Sequence, residues 1–132
     1  MRNASITILA IAITAISAAV AAVPNGVSFR SDIVPLLKSR CVACHLTGTE
    51  AGKLSLAPKT AYSSLVNVQS NESEWLRVKP GAPDDSYLVI KLEGHQLDRG
   101  GRGAQMPFGG DPLDNDTLTM IRNWIAAGAQ NN

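Results

Sequence analysis

Apolar residues recur at helical spacing in four stretches of the chain. Phe29, Ile33, Leu36 and Leu37 fall at i, i+4, i+7 and i+8, one stripe of a helix over residues 29–40. Ser31 or Asp32 can cap its start, and Pro35 lies early enough to be tolerated. Lys38 and Arg40 complement the dipole of its last turn. Leu54 and Leu56 bracket Ser55 as a short extended piece. Residues 60–66 read as a short helix with Thr60 as N-cap. Its Tyr62 is either half-buried structure or a contact for a bound group. A polar excursion over residues 67–74 precedes the turn Lys79-Pro80-Gly81-Ala82-Pro83. Residues 87–92 then form a helix capped by Asp84, Asp85 or Ser86, with Leu88 and Leu92 facing inward and Gly94 ending it. The last helix follows Asp114, carries Leu118, Ile121, Trp124 and Ile125 on one stripe, and closes at Gly128. Trp124 is expected to pack across the stripe that carries Phe29. These elements predict an all-α fold.

The first residues read differently. Arg2 supplies a positive start, residues 6–16 an apolar run, and Ala19-Val20-Ala21 a cleavage site of small residues. Residues 1–22 are expected to be a secretory signal peptide and residues 23–132 a single exported domain. An uncleaved segment would instead anchor the chain, because residues 3–23 are uncharged and just long enough to span a membrane. The whole chain carries 12 Lys+Arg against 11 Asp+Glu. Losing Arg2 leaves the mature domain formally neutral, with no basic stripe for nucleic acid. Aromatic residues make up 5% of the chain, so a core of this size gains from a large flat apolar body.

The two cysteines both lie in Cys41-Val42-Ala43-Cys44-His45. C-x-x-C-H is the pattern of a c-type haem attachment site. Two thiols one helical turn apart share a face, so both can add to the vinyl groups along one haem edge. His45 then offers its imidazole to the iron as proximal ligand. Export would also permit a disulfide between the thiols. Thioredoxin-like sites, however, sit in a strand-helix-strand context that is missing here. Structural zinc takes about four ligands, and His95 lies far from the motif without partner spacing. The stretch over residues 95–112 is glycine-rich and irregular, and contains Met106-Pro107. Three groups compete for the second iron position: Met106 in this loop, His95, and Met120 within the last helix. Met106 is favoured, since a helical methionine is usually core filler and His95 would give a bis-histidine haem.

The order of helix, C-x-x-C-H, loop, helices, methionine loop and final helix resembles a class I cytochrome c. In detail, the sequence is similar to the planctomycete-type cytochrome c domain. The similarity is carried by Phe29-Arg30-Ser31-Asp32-Ile33-Val34-Pro35-Leu36-Leu37, the Cys41–His45 motif, Ala61-Tyr62-Ser63-Ser64-Leu65, Lys79-Pro80-Gly81-Ala82-Pro83-Asp84-Asp85-Ser86-Tyr87-Leu88, Met106-Pro107, and Ile121-Arg122-Asn123-Trp124-Ile125-Ala126-Ala127-Gly128-Ala129. It covers nearly all of the mature chain. The resemblance implies three to five helices around one covalently attached haem c, with the N- and C-terminal helices packed together. It also implies thioethers at Cys41 and Cys44, and His45 and Met106 on the iron. The glycine-rich basic insertion around residues 99–103 departs from the family pattern.

Two strong axial ligands leave iron no open position, so the chain is expected to be a bacterial one-electron carrier, periplasmic or otherwise exported, rather than an enzyme. Its partners would be redox proteins, met as a monomer through small, short-lived interfaces. The rivals are a haem enzyme or gas sensor with a dissociable Met106, and a thiol-disulfide or metal-binding module.

Overall fold

A computed structural model describes residues 26–132; the expected signal peptide and its cleavage site lie outside them. Among the described residues there are four α-helices and no strand, so the all-α expectation holds. None of these helices is long and apolar enough to cross a membrane.

The first helical segment opens as a π-turn, Phe29–Ile33, and continues as α1, Val34–Arg40. Pro35 explains the change of pitch, since it brings no N–H and its ring crowds the carbonyl four residues back. The wide turn closes with the Val34 N–H on the Phe29 carbonyl. Ser28, rather than Ser31 or Asp32, is the N-cap: its hydroxyl accepts from the Ser31 N–H at 3.1 Å. Asp32 completes the cap from the other side, accepting the Ser28 N–H at 2.7 Å.

The first and last parts of the described segment clasp each other. Phe29 and Trp124, both essentially buried, stand with ring centroids 5.2 Å apart. The terminal Asn132 takes the Arg30 N–H on its carbonyl and the Phe29 N–H on its side chain. Tyr62 meets Phe29 edge-on at 5.3 Å and donates to the Ala129 carbonyl at 3.0 Å, so its role is structural. The expected packing of the terminal helical segments is therefore present, made by the aromatic contacts together with the Asn132 and Tyr62 hydrogen bonds.

Helix α2 (Ala61–Leu65) and helix α3 (Tyr87–Leu92) are short, and neither has a side-chain cap. Their N-cap hydroxyls are diverted to tertiary bonds. Thr60 pairs with Ser55 at 2.6 Å, and Ser86 accepts the Lys79 N–H at 2.9 Å and donates to the Ala82 carbonyl. The long helix α4 (Asn115–Ala126) is capped as expected by Asp114, whose carboxylate accepts from the Thr117 N–H at 2.8 Å. Arg122 on α4 binds both Asp84 and Glu93, which flank α3. Between α2 and α3 the polar excursion folds back on itself through two isolated bridges, Val66 with Val78 and Gln69 with Leu76.

Replacing Trp124 by Ala deletes a fully buried indole and its hydrogen bond to the Gln130 carbonyl. Urea denaturation should show a loss of about 3–5 kcal/mol. A loss below about 1 kcal/mol would mean that the terminal clasp does not hold the fold.

Candidate functional site

Helix α1 runs directly into the cysteine motif. The Cys41 N–H bonds the Leu37 carbonyl, and the Cys44 and His45 N–H groups both bond the Cys41 carbonyl at 3.1 Å. This continued turning sets Cys41, Cys44 and His45 on the wall of one cavity of about 370 Å³. Leu56 returns from the following loop to bond the His45 carbonyl through its N–H at 2.7 Å. Leu54, Leu56 and Leu65 thus line one part of the wall, and Leu88 and Leu92 of α3 another. Met106 reaches the same cavity from the irregular loop. His95 does not: its side chain is 64% exposed, stands 3.9 Å from Asp98, and lines a separate cleft. Met120 packs against the core rather than on this wall.

The loop that presents Met106 is fastened at several points. Tyr87 Oη accepts the Arg102 N–H and donates to the Arg102 carbonyl, each at 3.2 Å. Lys91 Nζ bonds the same carbonyl and pairs with Glu72 at 2.7 Å. The Met106 N–H itself bonds the Lys91 carbonyl at 3.1 Å, and Gln105 bonds the Leu92 carbonyl at 2.8 Å. Gly101 allows the close approach, because a Cβ there would collide with the Tyr87 ring and hydroxyl. The basic, glycine-rich insertion is thus a built support for the methionine. Lys91, Glu72 and Tyr87 were not candidate residues in the sequence, where nothing local links them to Met106.

The chemistry of the donors is specific. Burial pushes the Cys41 thiol up to about 11, against the pull of Arg40 and with the help of Cys44. A thiol this reluctant to ionise is a poor thiolate ligand or disulfide nucleophile near neutral pH, but loses nothing as a thioether. Burial also pulls the His45 imidazole below its usual range, opposed by Glu50 and Glu72. The neutral ring is the metal-binding form. His45 Nδ1 is buried without an aligned hydrogen-bond partner, although the Ala51 backbone acts on the ring. Buried polar atoms are rarely left this way. Two free thiols, a neutral histidine under-satisfied by the protein, a thioether and leucine walls fit a covalently attached haem. Among the described residues no group of three or more His, Cys, Asp or Glu side chains converges as a metal site.

No protein-family model and no curated protein matches the chain. A solved structure does: hydrazine synthase of Kuenenia stuttgartiensis is similar at 26% identity and a TM-score of 0.52. The match covers 80% of this chain but only 16% of that one. This corrects the expectation of a protein that is not an enzyme, because the similar structure is that of an enzyme. That expectation rested on two expected axial ligands, which concern one unit only, whereas the matched part is 16% of the enzyme's chain.

The loop leaving His45 is held by Glu50. Its carboxylate accepts the Thr47 N–H at 3.1 Å, the Gly48 N–H at 2.9 Å and the Thr47 hydroxyl at 2.9 Å. The backbone N–H groups of Glu50 and Thr47 lead in holding this carboxyl down at about 2. A depressed carboxylate stabilises the loop above its unfolded value of about 4.3, and that contribution is lost as pH falls toward 2. Side-chain NMR titration should find Glu50 half-protonated near pH 2, with the residue 47–50 amides shifting in step. A midpoint near 4.3 would contradict these bonds.

Proposed function

We propose that the chain carries one haem c, bound by thioethers at Cys41 and Cys44, with His45 and Met106 on its iron, and that it passes single electrons. The observation that supports this most is the convergence of the attachment motif and Met106 on one leucine-lined cavity. The haem would supply the one-electron couple. The residues of the chain bind and orient it: the two cysteines fix its edge, neutral His45 supplies a nitrogen donor, and the fastened loop holds the Met106 sulfur in place. His/Met ligation favours a raised potential. The leucine walls exclude water and keep the surroundings of both oxidation states similar. The apolar segment before the domain, with its small-residue cleavage site, supports export to a periplasmic compartment. Donor and acceptor would be redox proteins.

A second reading is supported by the similarity to an enzyme: Met106 dissociates, and a small molecule takes its place. Both readings meet in one experiment. Met106→Ala holoprotein should lose the ferric sulfur–iron charge-transfer band, bind CO and cyanide rapidly, and drop in potential by a fraction of the roughly 0.8 V that axial ligands span. Survival of the band in the variant would remove Met106 from the iron. Rapid CO or cyanide binding by the unaltered protein would favour the second reading.

A further inference from the structure

Arg77 has an unusual position. It is 8% exposed, yet lines the cavity that holds the cysteine motif. Its Nη1 donates to the Ser64 carbonyl at 2.8 Å. Its Nη2 donates to the carbonyls of Gly52 at 2.9 Å and Lys53 at 3.1 Å, and to Asn71 Oδ1 at 2.8 Å. Every one of these acceptors is neutral. A guanidinium has five N–H donors, and here the Nε–H engages no acceptor among the described residues.

The other cations on this wall are accounted for. Lys91 is paired with Glu72, and Arg40 is exposed and bound to the Asp111 carbonyl. Among the described residues no carboxylate lies within ion-pair distance of Arg77. A buried charge without a countercharge is costly, and burial does weaken this one's hold on its proton. Arginine nevertheless stays protonated in proteins, so the positive charge remains. Neutral carbonyls satisfy its hydrogen bonds but not its charge. The cavity is the direction from which an anion can reach it.

Resting on the haem reading above, we infer that Arg77 receives a propionate carboxylate of the haem, which supplies the missing countercharge. Arg77 would then do two things at once. It ties the Gly52-Lys53 turn, which follows the His45 loop, to α2 and the Asn71 segment. It also fixes which way round the haem's acidic edge lies.

The test is a ¹³C NMR titration of the haem propionates in holoprotein, comparing the unaltered chain with Arg77→Gln and Arg77→Lys. In the unaltered protein one propionate should titrate well below the ordinary carboxylate range. In Arg77→Gln its acidity should fall about tenfold or more, and in Arg77→Lys most of the acidity should remain although thermal stability drops. A merely structural arginine would lower stability in both variants and leave both propionates unchanged, which would overturn the inference. If Arg77→Gln fails to accumulate, the unaltered protein decides alone, since two propionates with ordinary acidity also overturn it. Protein without covalent haem by pyridine haemochrome would defeat the underlying reading and this inference with it. Holoprotein with ordinary propionates defeats this inference only.

Discussion

The constraint around which the described residues are arranged is that Cys41, Cys44, His45 and Met106, from distant parts of the chain, share the wall of one leucine-lined cavity. The three aromatic residues that meet in the core, Phe29, Tyr62 and Trp124, join the first helical segment to α4, and the cavity is lined by leucines instead. A flat apolar group held in the cavity would complete the core. Under the proposed function, folding and cofactor attachment would be coupled, and the cysteines would be structural as well as chemical residues.

Around that cavity the chain uses few regular elements and many specific bonds. Two short helices, α2 and α3, would be marginal alone. They persist because hydroxyls at their N-termini bind neighbouring loops, while Arg122 links α4 to the flanks of α3. The Met106 loop has no regular structure, yet Tyr87, Lys91 and Gln105 secure it to α3. Order here comes from side chains that bind backbone carbonyls. Such fastening would suit the proposed site, whose ligands would have to hold one geometry in two oxidation states.

How much of this was legible in the sequence follows from the range of each interaction. The cysteine motif, the α1 and α4 stripes and the Asp114 cap depend on residues within one or two turns, and all could be read. The contact of Phe29 with Trp124 could be read because both lie on strong apolar stripes. The Ser28 cap was missed because Pro35 changes the pitch and moves the helix start. The Thr60 and Ser86 caps failed because tertiary partners outbid the local bond for each hydroxyl. Arg77 and Lys91 carried no signal at all. Neither is part of a motif, and their meaning depends on carbonyls and carboxylates brought in from distant segments. The likeness to an enzyme was also beyond the sequence, because the motif and its ligand spacing describe one unit and not the reaction of a protein that resembles it.

Cys41 and Cys44 are proposed to hold a haem covalently in the cavity they share with His45 and Met106. The most direct measurement is the mass of the denatured protein, produced in cells that attach haem to exported chains. The expected mass is that of the processed polypeptide plus one haem, with the added haem mass retained under conditions that strip non-covalent cofactors and lost when both cysteines are changed to alanine. A denatured mass equal to the bare polypeptide would contradict it.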